Sequence, residues 1–208
     1  MKKFILILVI LLCSGNLSFS QDGDVQNNPY DNQESVEFSD SVKTLRILHW
    51  NDVHARNMPY EVSKKDEETG EKTYYYLGGI SNLLGYINML KDNNTLLFDG
   101  GDSYQGSPIS TVTRGFSQIE VLNMLEPDAF VIGNHEFDYG QYALDSALMM
   151  AEFDYLSANV FFNPRNKTFG KPFIIEDVNG IKVGVIGITA LDLETLILPK
   201  NISRRLQL

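Results

Sequence analysis

The stretch 95–106, TLLFDGGDSYQG, joins a short apolar run to a polar turn with two adjacent glycines. The apolar run predicts a buried strand over residues 95–98. The glycines let the backbone of the turn approach other segments closely, and Asp102 follows them directly. This stretch therefore predicts a strand that carries polar groups at its carboxyl end.

The same arrangement occurs before and after this stretch. Residues 44–51, TLRILHWN, predict a strand that leads into Asp52 and His54, and a third apolar strand precedes Asn134. In an open α/β sheet, ligands gather beyond the carboxyl ends of the strands. We therefore expect three clusters that are distant in sequence to meet at one edge of a sheet.

Helices and strands alternate along the chain, which predicts an α/β domain with a sheet covered on both faces. Asn179 and Gly180 form a hairpin signal between two apolar strands, and Thr69 and Gly70 form a weaker one. The predicted strands cover 44–51, 60–62, 74–76, 95–98, 129–132, 155–160, 173–178 and 181–188, and the predicted helices cover 80–90, 116–125 and 140–150.

The first 43 residues differ from the rest. Residues 1–20 have two lysines, an apolar run and small residues before Gln21, the pattern of a cleaved secretory signal peptide. The apolar run is too short for a permanent membrane anchor. Residues 21–43 are polar and acidic and predict a flexible leader. We therefore expect a secreted or periplasmic protein whose folded part is 44–208.

Composition narrows the classes of function. The net charge of −10 disfavours binding to DNA or RNA, because an acidic surface repels the phosphate backbone. Cys13, the single cysteine, lies inside the predicted signal. Cleavage before Gln21 would leave no disulfide and no thiol catalysis.

The three polar clusters contain ligands typical of a two-metal site. Asp52 and His54 are two residues apart, so on an extended backbone they would point the same way and hold one cation. Asp102 could bridge two cations, and Asn134 could offer an amide oxygen to the second. Histidine and carboxylate ligands suit Zn²⁺ or Mn²⁺. Such a pair of ions clamps a phosphoryl group and activates water.

His135 and Asp138 predict a catalytic pair. His135 directly follows Asn134, so its side chain is expected to face the substrate rather than the metal, where it could protonate a leaving alkoxide. Asp138 could accept its ring N–H. Of the neighbouring polar residues, we interpret His49 as a hydrogen-bonded structural histidine, Asp99 as a group that orders its loop, and Glu136 as a supporting or surface group.

The segments ILHWNDVH (47–54), GDSYQGS (101–107) and GNHEFDYG (133–140) resemble the opening motifs of the secreted 5′-nucleotidase family. That family belongs to the calcineurin-like metallophosphoesterases. The resemblance implies a four-layered α/β sandwich and a nucleotide substrate. It also implies metal ligands at Asp52, His54, Asp102 and Asn134, and a catalytic pair at His135 and Asp138.

Two departures from that family pattern lead to a further expectation. No histidine follows His135, although the family completes its site with later histidines, and the family's C-terminal substrate-binding domain is absent. We expect a metallophosphoesterase domain incomplete at its C-terminal end and impaired on its own. Cyclic-nucleotide phosphodiesterase, nucleotide-sugar hydrolase, sulfur-compound hydrolase and non-catalytic remnant remain alternatives.

Overall fold

The computed structural model describes residues 8–10, 43–162, 167–202 and 206–207. Its strands are β1 (Leu8–Ile10), β2 (Arg46–Trp50), β3 (Tyr60–Lys65), β4 (Lys72–Leu77), β5 (Thr95–Asp99), β6 (Ala129–Val131), β7 (Asp154–Leu156), β8 (Phe161–Phe162), β9 (Lys167–Thr168), β10 (Phe173–Val178), β11 (Ile181–Ile186) and β12 (Leu206–Gln207). Its helices are α1 (Ile80–Leu90), α2 (Pro108–Thr113), α3 (Phe116–Leu125), α4 (Gln141–Leu148) and α5 (Leu193–Leu196), with short 3₁₀ helices at His135–Phe137 and Pro199–Asn201.

A parallel sheet of four strands, in the order β2-β5-β6-β7, forms the centre of the fold. Leu48 pairs with Leu97 and Phe98 pairs with Ala129 along this sheet. Every residue of β5 is buried. That burial agrees with the apolar residues 96–98 inside β5, because a strand covered on both faces has no solvent side. The carboxyl ends of β2, β5 and β6 therefore lie at the same edge.

A second sheet, in the order β1-β11-β10, is antiparallel. Val178 pairs with Ile181 across the predicted turn, and Asn179 and Gly180 have φ angles of 51° and 75°. Positive φ at both central residues is what a tight hairpin turn requires, which explains the Asn-Gly pair. The hairpin prediction is confirmed.

The two sheets face one another across an apolar core that includes Phe98, Leu156, Ile174 and Val183. A larger core, with Leu97, Ile119, Phe130 and Leu144 among its members, lies on the other face of the parallel sheet and includes residues of α1, α3 and α4. The α/β fold class is thus confirmed. The described residues supply three of the four expected layers: helices, parallel sheet and antiparallel sheet.

The predicted strand over 155–160 is shorter in the structure and ends at Leu156. The reason is a change of partner, because the backbone N–H of Ser157 donates to Lys171 and that of Ala158 donates to Gly187. The chain leaves the parallel sheet there. The helix Pro108–Thr113 was not predicted, since PISTVT has no apolar period.

The signal-peptide and leader predictions fall on residues 1–43, of which the structure describes only Leu8–Ile10 and Lys43. Leu8–Ile10 form the edge strand β1 beside β11, and cleavage before Gln21 would remove that strand and leave the hairpin of β10 and β11. Between β2 and α1, the hairpin of β3 and β4 is longer than the sequence predicted, with Tyr60 opposite Leu77 and Lys65 opposite Lys72.

Within the described part of the chain, no helix combines the length and apolar character needed to cross a membrane.

Candidate metal centre

Residues from three turns converge at the carboxyl edge of the parallel sheet. His54 follows β2, Asp102 follows β5 and His135 follows β6. One potential ligand atom from each of the three lies within 4.8 Å of the others. The predicted meeting of these turns is therefore observed.

Asp52 lies beside this group, with its Oδ1 at 3.7 Å from His54 Nε2. The prediction that an extended backbone aligns the two side chains is wrong, because Asp52 and His54 have φ angles of 57° and 50°. The backbone N–H of Asp52 donates to Gly101 (2.9 Å) and that of His54 donates to Asp102 (3.1 Å). These bonds to the turn after β5 hold the left-handed conformation, which is costly for residues other than glycine.

The ring of His54 is oriented by a backbone carbonyl. Its Nδ1 lies 2.9 Å from the carbonyl oxygen of Gln105. A carbonyl can only accept, so Nδ1 carries the proton and Nε2 keeps its lone pair. His54 therefore presents Nε2 as a metal donor, oriented in the way that metal-binding histidines commonly are.

Asp102 is nearly buried, at 6% exposure, and has a positive φ of 57°. Its Oδ1 accepts the backbone N–H of His135 at 2.9 Å. Burial is the main cause that raises the pKa of its carboxyl, since the charged form loses hydration. A buried carboxylate of this kind favours a compensating cation.

Asp99 orders the turn that carries Asp102, as the sequence predicted. Its Oδ1 accepts the backbone N–H of Gly101 at 2.9 Å and its Oδ2 accepts the hydroxyl of Ser103 at 2.9 Å. The side chain is fully buried, and burial raises its pKa to about 7. Both oxygens are therefore occupied within the turn.

Asn134 has the position of an N-cap before the 3₁₀ helix, but its side chain makes no capping hydrogen bond. Asn134 is 7% exposed. No hydrogen bond within the described residues involves its side-chain amide, so the amide oxygen is available to a cation.

His135 and Asp138 form the expected pair, with 2.6 Å between Nδ1 and Oδ2. The hydrogen bond to Asp138 is the main cause that raises the pKa of His135. The ring of His135 lies 4.8 Å from that of His54 in an edge-on arrangement. His135 therefore lies nearer to the metal ligands than the sequence indicated, within the same group as His54 and Asp102.

Two neighbouring residues can be compared with their sequence interpretation. His49 is exposed on β2, and its ring has no hydrogen-bond partner in the described part of the chain, so the prediction of a bonded structural histidine is wrong. Glu136 is fully buried, which agrees with its interpretation as a supporting group and excludes a surface position. Burial, followed by the charge of Asp102, raises the pKa of Glu136, while backbone N–H groups oppose this shift by donating to its carboxylate.

The donors present fit a divalent transition metal. They comprise imidazole nitrogen, carboxylate oxygen and amide oxygen, the set that Zn²⁺, Mn²⁺ and Fe²⁺ accept. A cavity of about 450 Å³ opens beside them, lined by His54, Arg56, Gln105, Gly106 and Ser107. Of the candidate ligands, His54 is thus accessible to a small molecule from this cavity.

Comparison with known proteins agrees with this geometry. The sequence profile described as Calcineurin-like phosphoesterase matches residues 45–202. The chain belongs to the calcineurin-like phosphoesterase family. The match covers every element that positions this calcineurin-like phosphoesterase site, from β2 to the 3₁₀ helix at Pro199–Asn201.

Curated relatives of this calcineurin-like phosphoesterase carry the name 5′-nucleotidase. The protein of that name from Diplobatis ommata is 35% identical over 74% of this chain and 27% of its own length. The snake venom 5′-nucleotidase of Gloydius brevicauda is 37% identical over 73% of this chain and 26% of its own length. The chain thus spans about a quarter of the length of these relatives.

Solved structures show the same fold. The NAD nucleotidase of Haemophilus influenzae superposes with a TM-score of 0.68 at 29% identity, over 78% of this chain and 29% of that one. A 5′-nucleotidase precursor from Thermus thermophilus gives a TM-score of 0.63 at 32% identity, over 78% of this chain and 31% of that one.

Proposed function

We propose that this chain supplies the metal-binding part of an enzyme that hydrolyses phosphate esters of nucleotides. The observation that most directly supports this proposal is that one potential ligand atom from each of His54, Asp102 and His135 lies within 4.8 Å of the others. The name 5′-nucleotidase on relatives at about 35% identity supports the substrate class.

Each of four side chains has a proposed role in holding two divalent cations. Asp52 and His54 would hold the first, Asp102 would bridge, and Asn134 would hold the second. Two cations held there would polarise the phosphoryl oxygens of a substrate and activate a water molecule. The remaining chemistry comes from residues of the chain itself.

His135 is proposed to hold and deliver the proton that the leaving alkoxide takes up. Asp138 fixes the ring through Nδ1 at 2.6 Å, which leaves Nε2 as the proton-bearing atom toward the substrate. The raised pKa of His135 favours the protonated ring that a general acid requires. Asp138 acts by orienting His135 and by stabilising its charge.

The chain alone is proposed to bind metal weakly and to turn over slowly. Within the residues given, its candidate ligands are two carboxylates, one histidine and one amide, with His135 beside them. Two cations that share these donors would each have few protein ligands. The 5′-nucleotidase activity is proposed for the whole protein.

Phosphate release from AMP, with Mn²⁺ or Zn²⁺ added, tests the proposal on both the chain and the full gene product. We expect activity in the full product, lost in Asp102→Ala and reduced about 10²- to 10⁴-fold in kcat in His135→Ala. A full product that binds no metal and releases no phosphate from any nucleotide would exclude the proposal. Faster hydrolysis of a cyclic nucleotide or a nucleotide sugar would favour those alternative substrates.

A secreted or periplasmic location is proposed from residues 1–20 of the sequence. A relative named for snake venom agrees with secretion. Sequencing of the mature N-terminus after expression with its natural start tests this, and the expected first residue is Gln21. An N-terminus that retains Met1 in a cell-internal fraction would contradict it.

A further inference from the structure

Glu136 accepts hydrogen bonds from four backbone N–H groups although it is not a proposed ligand. Oε1 accepts from Ser103 (2.7 Å) and Tyr104 (3.2 Å). Oε2 accepts from Asp102 (3.0 Å) and Gly133 (2.7 Å). The side chain is fully buried, so water does not compete for these donors.

These donors belong to two different turns. Asp102, Ser103 and Tyr104 follow β5, whereas Gly133 follows β6 and precedes Asn134. The proposed bridging ligand and the proposed amide ligand therefore lie on turns that bond to one carboxylate. Asp99 gives the contrast, because it is equally buried but accepts hydrogen bonds from Gly101 and Ser103, which both belong to the turn after β5.

The two turns approach one another closely at their glycines. A Cβ at Gly101 would lie 2.3 Å from the carbonyl oxygen of Val131, and a Cβ at Gly133 would lie 2.3 Å from Asp102 Oδ1. Their separation therefore depends on the groups that bond across the contact, and Glu136 provides most of those bonds from its position on the second turn.

We propose that Glu136 is a positioning residue that holds the turn of Asp102 and the turn of Asn134 at one separation. By doing so it sets the affinity for the second cation, which both turns bind. This inference rests on the proposed metal centre. It predicts that loss of Glu136 weakens the second cation selectively, because the turn of Asp102 stays joined to Asp52 and His54 by backbone hydrogen bonds that do not involve Glu136.

Glu136→Gln is the decisive variant because it keeps the shape of the side chain but only one of its two accepting oxygens. A carboxylate offers two accepting oxygens, whereas an amide offers one oxygen and one donating NH₂ group. Whichever way the amide is turned, its NH₂ faces two backbone N–H donors. One pair of donors then loses its partner and the link between the turns weakens.

Titration with Co²⁺, followed by visible absorption, measures the first and second affinities separately. The spin coupling of two Mn²⁺ ions, measured by electron paramagnetic resonance, reports their proximity. In Glu136→Gln we expect the second affinity to fall about 10- to 100-fold, as for other groups that orient metal ligands. The first affinity should remain within about threefold, on the same principle, and the coupled Mn²⁺ signal should be lost.

Two matched variants separate positioning from general stability. Phe137→Leu truncates a fully buried neighbour that packs on Phe169 and leaves the carboxylate intact. Asp99→Asn alters an equally buried carboxyl that lies within one turn. Equal losses of second-site affinity in Phe137→Leu and Glu136→Gln, at equal losses of thermal stability, would overturn the proposal.

The outcomes distinguish a failure of the proposed metal centre from a failure of the role proposed for Glu136. A wild-type chain that binds no Co²⁺ would overturn both the metal centre and the role of Glu136. Normal two-ion binding by Glu136→Gln would overturn the role of Glu136 alone. If Glu136→Gln does not fold, Glu136→Asp replaces it, because the shorter carboxylate keeps its charge but cannot reach both turns. The same selective loss is then expected, and its absence overturns the proposal.

Discussion

His135 Nδ1 lies 2.6 Å from Asp138 Oδ2, and this contact joins two residues three apart on a single turn of 3₁₀ helix. The bond ties the ring of His135 to its own backbone segment, so the ring direction is set locally. The same ring lies 4.8 Å from that of His54, which comes from a distant part of the sequence. A locally fixed imidazole is thereby held against the proposed metal ligands.

Asp138→Asn should lower the pKa of His135. Asparagine keeps an acceptor for Nδ1–H but removes the charge that favours the imidazolium. The folded-state pKa of His135 is raised above 6.5, so its stabilising effect is complete below that value and disappears as pH rises through the folded pKa. The variant should therefore lose about 1.5 kcal/mol of unfolding free energy near pH 5.5.

Above the folded pKa of His135, the unfolding free energies of Asp138→Asn and of wild type should converge. NMR titration of the ring measures the pKa, and denaturant unfolding at several pH values measures the stability. An unchanged His135 titration in the variant would show that Asp138 does not govern the charge of this ring.

Asp102→Ala should abolish stabilisation by metal. A ligand that binds only the folded state adds about 2.7 kcal/mol at 100 times its dissociation constant. Wild type should gain this amount with Mn²⁺ and lose it with a chelator, whereas Asp102→Ala should gain nothing. Denaturant unfolding with and without Mn²⁺ checks this within each variant, so a change in metal-free stability does not interfere.

Asp192→Asn is the matched control for this metal test, because Asp192 is exposed and lies at the start of α5. It should keep the full gain with Mn²⁺. Equal gains in Asp102→Ala and Asp192→Asn would mean that Mn²⁺ stabilises the chain somewhere other than the proposed centre.

The sheet and its active edge could be predicted because their signals are local in the sequence. Apolar runs such as 95–98 have few alternatives to a buried strand, and Asn179 with Gly180 selects one turn type. Once parallel strands are inferred, the polar residues after them must share an edge. The fold class and the meeting of the three polar turns at one edge of the sheet could therefore be predicted.

The detailed geometry could not be predicted because it depends on backbone contacts between distant turns. The positive φ of Asp52 and His54 follows from bonds to Gly101 and Asp102, which no local pattern in 52–54 reveals. Glutamate side chains are mostly exposed in proteins. Glu136 is buried because backbone N–H groups of the turn after β5 donate hydrogen bonds to its carboxylate. The exposure of His49 could not be predicted either, because the sequence pattern of β2 does not show which of its residues other elements cover.

Asp99→Asn should reduce the dependence of stability on pH. Burial raises the pKa of Asp99 to about 7, so the folded state holds a proton that the unfolded state has lost between roughly pH 4 and pH 7. Stability of the metal-free chain therefore falls as pH rises through this window. Removal of the titrating group should make that slope shallower by up to about 1.4 kcal/mol per pH unit.

Asparagine suits this position because its oxygen can accept from Gly101 and its NH₂ can donate to the hydroxyl of Ser103. Asp66→Asn is the contrasting variant, since hydrogen bonds from Thr69 lower the pKa of Asp66. Its stabilising effect is present above the unfolded pKa and is lost as pH falls. Identical pH slopes in wild type and Asp99→Asn would show that Asp99 is not protonated in this window.

Gly133→Ala should damage the site from a position that carries no ligand. The added Cβ would lie 2.3 Å from Asp102 Oδ1 and 2.7 Å from the backbone nitrogen of Asp102, so the turn that carries Asp102 must shift. Metal affinity should fall about 10-fold or more, because displaced ligands lose their geometry.

Gly85→Ala is the matched control, since nothing lies within 4 Å of its added Cβ and Gly85 lies inside α1. That control should keep its metal affinity and gain about 0.5–1 kcal/mol from reduced backbone entropy. Co²⁺ titration and denaturant unfolding of both variants decide the point, and unchanged metal binding in Gly133→Ala would mean that the two turns can separate without moving the ligands.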